Sequence, residues 1–129
     1  MNKILVEISV GELLDKISIL KIKKEKIKDP EKLKFIDDEY KVLKNQLDNN
    51  IKSDKKLDEL FESLKGINSK LWVNENEKRL CEKNSDFGEK FIKLSRDIHF
   101  LNDNRAKIKL EINTHTGSKI KEIKEYTNY

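Results

Sequence analysis

Residues 91–113 read FIKLSRDIHFLNDNRAKIKLEIN, and the apolar residues in this stretch recur at intervals of three and four. Because an α-helix has 3.6 residues per turn, that spacing places them on one face of a helix. The face consists of Phe91, Leu94, Ile98, Leu101, Ile108 and Ile112. Polar and charged residues fill the other faces, so the stretch predicts a long amphipathic helix from about residue 87 to residue 114.

The same spacing recurs in earlier segments of the chain. A first helix is predicted to begin after Ser9, which can form a capping box with Glu12. Its predicted apolar stripe is Val10, Leu13, Ile17, Leu20 and Ile27. Asp29 and Pro30 end this helix and start a second, because proline disfavours the α conformation in the residue before it and suits the first helical position. The second helix is expected to run to about Asn49.

A third helix is predicted from about Asp54 to Lys83, and Gly117 suits the C-cap of the fourth. Short connections favour antiparallel neighbours. We therefore predict an all-α fold, an elongated antiparallel bundle of about four helices with coiled-coil-like hairpins. Residues 1–129 are predicted to form one domain, with residues 1–8 as a short extended arm suited to pairing across a dimer and residues 118–129 as a tail with room for one or two helical turns.

Composition limits both the core and the class of partner. The hydrophobic share is 36% and the charged share 40%. Even with the four glycines added, the apolar content stays below the roughly 45–50% of ordinary globular domains. Such a chain forms a thin core or completes its core by dimerising, so we expect a protein partner or a homodimer. The net charge of +4 is spread among interleaved signs, which is a weak signal for nucleic acid or membrane.

Several function classes lack a signal in the sequence. A single cysteine, Cys81, cannot form an internal disulfide, which favours a reducing, cytoplasmic location. No apolar run approaches the roughly 20 residues of a membrane span, and residues 1–10 do not read as a signal peptide. No cofactor motif is present. His99 and Asp103 have helical metal-ligand spacing, but a site needs three or four ligands, so no metal is expected.

Arg105 is out of place on the fourth helix, because it lies in line with the apolar face. A charge at such a position must be paired, or must face a cavity that water or a ligand fills. One interpretation is a structural ion pair with Asp15, Glu12 or Glu75, which is the commoner reason for such a residue. The other is a ligand-binding arginine.

Polar rows around Arg105 support the ligand interpretation. If the first and fourth helices pack, the rows line one groove that suits a carboxylate or phosphate group. The candidate ligand-binding residues are Arg105, Asn102, Asp103, Lys109, Asn113, Glu12, Asp15, Lys16 and Trp72. The alternative is a solvated face with exposed ion pairs of little energetic value. For Trp72, packing at a helix junction with Phe61 or Phe87 is the commoner role.

Two motifs resemble a family of small uncharacterised bacterial proteins, a domain of unknown function. They are GELLDK at residues 11–16 and NDNRAKIKLEIN at residues 102–113, and the resemblance covers nearly the whole chain. Val10 stands where the family usually has proline, which affects only the start of the first helix. The resemblance implies a helical module without a known activity. It also implies an association with surface-polysaccharide or glycosyltransferase systems.

Three classes of function remain, and whether the protein is an enzyme stays open. The preferred hypothesis is a non-catalytic helical interaction or adaptor protein, which predicts an exposed apolar strip, such as residues 4–8, and no enclosed pocket. The alternative is a site for an anionic small molecule, bearing phosphate or carboxylate, centred on Arg105. It predicts a concave pocket that holds Arg105, Asn102 and Lys109 with Glu12 or Asp15. Nucleic-acid binding through the lysine-rich residues 21–28 is not expected, because that segment lacks interleaved aromatic residues.

Overall fold

The computed structural model describes residues 2–125 and 127–128. It contains four α-helices: α1, Val10–Lys26; α2, Pro30–Asn50; α3, Lys55–Lys83; and α4, Glu89–Thr116. The described residues form no β-strand. The predicted all-α fold and its helix count are therefore confirmed.

Short capping signals set the helix ends. The Ser9 hydroxyl accepts a hydrogen bond from the Glu12 amide at 3.0 Å and starts α1. Asp29 caps α2, with proline as the first helical residue, and Asp54 caps α3. Gly117 ends α4 with a left-handed φ of 67°, a conformation that glycine adopts without steric cost. These residues were all predicted from the sequence as helix boundaries.

Helices α3 and α4 form a long antiparallel hairpin. Near its open end, Asp54 before α3 pairs with His115 near the end of α4 at 2.9 Å. Near the turn, Glu77 of α3 pairs with Lys90 of α4 at 3.1 Å. The two pairs lie at opposite ends of the same helices, which fixes the antiparallel register.

A shorter hairpin of α1 and α2 packs on the longer one. Lys24, near the end of α1, pairs with Asp37 in the second turn of α2 at 3.0 Å, so these helices also run antiparallel. Helix α1 packs against each of the other three helices, whereas α2 packs closely along α1 alone. Helix α1 is therefore the central element of the fold.

The core lies where α1 meets the open end of the long hairpin. Its buried cluster comprises Leu14, Leu57, Leu60, Leu64 and Ile112. Leu47 and Ile51 extend the cluster from the end of α2. On α1, Leu14 and Ile22 are buried although the predicted stripe omitted both. The stripe was too narrow because α1 is covered on three sides rather than one.

The chain segments before α1 and after α4 are irregular. Residues 2–9 are in neither helix nor strand, as expected for an arm, and Ile4, Leu5 and Val6 are exposed there. Residues 118–125 are likewise in neither helix nor strand, so they do not form the one or two helical turns for which the tail has room. In the part of the chain that the structure describes, no helix combines the length and apolar character that crossing a bilayer requires.

Candidate functional site

Helices α1 and α4 approach each other closely at Gly11. Its amide donates a hydrogen bond to Oδ1 of Asn113 at 2.7 Å. A Cβ atom at position 11 would lie only 2.6 Å from the carbonyl oxygen of Lys109. Glycine is therefore needed at this contact, which brings the acidic residues of α1 against the basic residues of α4.

Asp15 and Arg105 form the centre of this contact. Asp15 is 1% exposed. Nε of Arg105 donates to Oδ1 of Asp15 at 2.9 Å, and Nη2 donates to Oδ2. Asn68 of α3 donates to Oδ1 of Asp15 at 2.9 Å and to the hydroxyl of Ser18 at 2.8 Å. The carboxylate is thus bonded from two helices, and Asp15 is the structural partner of Arg105.

The electrostatic environment keeps this pair ionised. Burial raises the pKa of Asp15, but hydrogen bonds from Arg105 and Asn68 outweigh that effect and leave the pKa below its usual value. The hydrogen bond to Asp15 raises the pKa of Arg105. A buried carboxylate with these partners stays charged at neutral pH and orients the guanidinium.

Lys109 is the second cation of the site, and its side chain is only 11% exposed. Its ammonium donates to Glu12 at 2.7 Å and to Glu122 of the tail at 3.2 Å, and it lies 3.9 Å from Asp15. Burial lowers the pKa of Lys109, but the nearby carboxylates raise it by more, so the pKa lies above its usual value. Because Glu12 bonds Lys109, its carboxylate is directed to α4 instead of completing the expected capping box.

A polar cleft of about 250 Å³ lies over this network. Its lining residues are Glu12, Asn102, Arg105, Ala106, Lys109, Glu122 and Lys124. The volume is below the roughly 300–1,000 Å³ typical of drug-sized ligands, so it suits a small molecule. Arginine and lysine suit a phosphate or carboxylate group, while the amide and carboxylate oxygens suit hydroxyl groups.

Six of the nine predicted residues come together here. Arg105, Asn102, Lys109 and Glu12 line the cleft, and the buried Asp15 and Asn113 support it from behind. The structure therefore contains the concave arrangement that the ligand hypothesis required.

The other three predicted residues lie elsewhere. Lys16 is half-exposed beside Glu12, at 3.7 Å, and does not line the cleft. Asp103 lines an adjoining surface hollow with Leu110, which shares Ala106, Glu122 and Lys124 with the cleft. Trp72 is half-buried on α3 and lines neither.

Sequence reasoning missed Asn68 and the two tail residues, Glu122 and Lys124. A signal for Asn68 was available, because it follows Leu64 by four residues and precedes Leu71 by three, which places it on the apolar face of α3. The tail residues have no such signal, since residues 118–125 form no periodic element. Glu122 is placed by its tertiary contact with Lys109, and Lys124 pairs with Glu122 at 3.5 Å.

Comparison with known proteins identifies the family of this chain. A model described as a family of unknown function, DUF6165, matches residues 4–129. The chain belongs to DUF6165. This confirms the resemblance to an uncharacterised family, and the DUF6165 match spans both α1 and the polar segment of α4. No curated protein and no solved structure matches the chain. Residues 2–125 and 127–128 hold no group of three His, Cys, Asp or Glu side chains arranged to bind a metal ion.

Proposed function

We propose that this protein is a non-catalytic helical interaction module that forms a homodimer through an apolar strip on the long hairpin. The observation that carries the proposal is the exposure of large apolar residues in a chain that has few of them. The distal strip consists of Val73, Leu80, Ile92 and Phe100, each at least 42% exposed. Scattered exposed apolar residues are ordinary, but a contiguous set marks an interaction surface.

The members of the distal strip share one face of the hairpin. Val73 and Leu80 are seven residues apart, which is two turns of α3. Phe100 lines one surface hollow with Val73 and an adjoining hollow with Ile92. The strip therefore continues from α3 across to α4.

The strip lies towards a part of the hairpin that α1 does not reach. Asn68 of α3 bonds Asp15 in the first half of α1, and Glu25 near the end of α1 pairs with Lys65 at 2.8 Å, so α1 crosses α3 on the side of Asn68 away from the turn. Helix α1 begins beside Asn113, at the open end of the hairpin. The region around the turn consequently has less support within the chain, and a partner there would complete a thin core.

Charge complementarity favours a second copy of this chain as the partner. The hollow that contains Ile92 is lined by Glu89, Lys93, Arg96 and Asp97. In a two-fold symmetric contact each copy presents both signs to the other, so the acidic residues of one copy can meet the basic residues of its partner. Two antiparallel hairpins packed through such faces would form a four-helix arrangement.

The test is the solution mass as a function of concentration. We expect the wild type to reach twice the 15.3 kDa mass of one chain in sedimentation or light-scattering measurements. Val73→Asp and Ile92→Asp should each shift the dimer to monomer, because a charge would be buried without a partner. Val42→Asp is the matched control, since Val42 is similarly exposed but lies on α2.

Two outcomes would overturn the homodimer. One is a wild type that stays monomeric at millimolar concentration. The other is a dimer that survives both strip substitutions and dissociates when residues 2–8 are removed, which would assign the contact to the exposed arm. The resemblance implies an association with surface-polysaccharide or glycosyltransferase systems, so enzymes of that class are the first heterologous partners to test.

The polar cleft favours a second candidate function, a site for a phosphate- or carboxylate-bearing small molecule centred on Arg105. Its support is that Arg105, Asn102, Lys109 and Glu12 line one concavity. Titration with glucose 1-phosphate, followed by NMR, should shift the side-chain Nε–H signal of Arg105. Glucose at the same concentration should leave it unchanged because it lacks the anionic group. Equal responses to both compounds, or none to either, would reject this site.

A further inference from the structure

We propose that Glu122 of the tail acts as an internal ligand of the cleft, and that a phosphate- or carboxylate-bearing small molecule binds by displacing it. The inference rests on the anion site proposed above and adds how access to that site is controlled. Glu122 belongs to the irregular segment after α4, whereas the other acidic partners of Lys109 belong to α1. It is therefore the carboxylate that can leave without disturbing a helix.

Lys109 shows where an incoming anion would bind. An ammonium group has three hydrogen-bond donors. Glu12 accepts from Lys109 at 2.7 Å and Asp15 lies at 3.9 Å, both from α1, while Glu122 accepts at 3.2 Å from the tail. A ligand carboxylate or phosphate oxygen in place of Glu122 would keep Lys109 fully bonded.

Arg105 offers a second contact to the same ligand. Asp15 takes Nε and Nη2 of the guanidinium. The outer nitrogen, Nη1, has no hydrogen-bond partner among residues 2–125 and 127–128. Because Arg105 lines the cleft and is held by Asp15, its remaining donors are positioned in advance for an anion.

The charge balance of the cleft changes when Glu122 leaves. With Glu122 in place, Lys109, Arg105 and Lys124 are balanced by Glu122, Glu12 and the buried Asp15. When Glu122 turns away and Lys124 stays at the cleft, the cations exceed the carboxylates by one charge. The cleft then has the positive character that attracts an anion.

The tail can release Glu122 while its base remains attached. The amide of Ser118 donates a hydrogen bond to the carbonyl oxygen of Asn113 at 2.9 Å. The hydroxyl of Ser118 accepts a hydrogen bond from the Val10 amide at 3.2 Å. Glu122 itself is 48% exposed in its side chain. Lys109 is largely buried, but it keeps its bond to Glu12, and the oxygen of an incoming anion takes the place of Glu122, so the exchange has a low cost.

The test measures the affinity of the full chain for three probes by NMR titration. Glucose 1-phosphate and glucuronate present phosphate and carboxylate on a similar ring, and glucose is the uncharged control. We expect Glu122→Gln to bind one or both anionic probes about three- to five-fold more tightly than the wild type, because the charged competitor for Lys109 is gone. In the wild type, binding should also shift the backbone amide signals of residues 121–124.

Glu125→Gln is the matched control, because it removes the same charge from the same exposed segment without touching Lys109. It should bind like the wild type. If both variants gain affinity equally, the effect is one of overall charge and the proposal is wrong. If the wild type and Glu122→Gln bind a probe with equal affinity, the internal-ligand role is wrong while the anion site stands. If no probe binds any of the proteins, both are wrong.

Discussion

The carboxylate of Asp15 on α1 and the guanidinium of Arg105 on α4 join two helices through paired hydrogen bonds beneath a polar cleft. Asp15 is buried, whereas the Arg105 side chain is 29% exposed. A buried ion pair adds little net stability over an apolar pair, but it fixes which residues face each other. The pair therefore fixes which residues of α1 and α4 face each other, and it also holds the Arg105 guanidinium at the wall of the cleft.

Arg105→Met should destabilise the protein by about 3 kcal/mol, because it leaves the buried carboxylate of Asp15 without its main partner. Urea denaturation followed by circular dichroism measures the change. The exposed Lys107 on the same helix provides the control, and Lys107→Met should change the free energy of unfolding by less than about 0.5 kcal/mol.

A double substitution separates the cost of leaving the Asp15 charge unpaired from the cost of losing the packing of the Arg105 side chain. Asp15→Asn combined with Arg105→Met should be less destabilised than Arg105→Met alone, since the unpaired buried charge is gone. If the double variant is instead as unstable as the sum of the two single variants, the direct Asp15–Arg105 interaction is not what stabilises this contact.

Acid should weaken the contribution of Asp15. Its pKa in the folded protein lies below the usual 3.8, so the ionised form stabilises the fold above that pH. This stabilisation decreases as the pH falls below 3.8 and is lost once the pH passes the folded-state pKa. The difference in free energy of unfolding between the wild type and Asp15→Asn should be constant from pH 7 to about pH 5 and shrink below about pH 4. A difference that grows with acidity would contradict the assignment.

Much of the fold could be predicted because its signals act over a few residues. Ser9, Asp29 and Asp54 cap helices through their own side chains, and Gly117 ends α4 through its own backbone angle. Apolar spacing then gives the helix type and its approximate length. Arg105 was recognisable as misplaced for the same reason, since spacing alone puts it on the apolar face.

The rest depends on how the helices rotate and pack, which spacing does not specify. The sequence offered Asp15, Glu12 and Glu75 as partners for Arg105, and only the close approach at Gly11 selects Asp15. That approach also makes α1 central, so its buried surface is wider than one stripe. Glu122 had no local signal, because its place over Lys109 follows from where the tail leaves α4.

Gly11→Ala should destabilise the protein by about 1–3 kcal/mol, the usual cost of adding a methyl group where there is no space. The added Cβ would meet the backbone carbonyl of Lys109, which cannot rotate away as a side chain can. Gly66→Ala is the control within another helix, since its Cβ would meet nothing within 4 Å. It should stabilise by about 0.5–1 kcal/mol through helix propensity. Equal effects at the two positions would show that α1 and α4 are not in close contact.

Amide hydrogen exchange should differ along the length of α3. Leu64 and Asn68 lie in the part of α3 that packs on α1, through the core cluster and the hydrogen bond to Asp15. The last turns of α3, up to Lys83, lie near the turn, where Glu77 pairs with Lys90 of α4. Segments with fewer buried contacts open at lower free energy, so amides of residues 77–83 should exchange about tenfold faster than those of Leu64 and Asn68 in the dilute monomer. Uniform exchange along α3 at low concentration would show that the hairpin opens as one cooperative unit, contrary to this prediction.

The same measurement at higher protein concentration reports on the homodimer. If the distal strip forms the contact, exchange near the turn should become slower as the concentration rises, and exchange at Leu64 should stay unchanged.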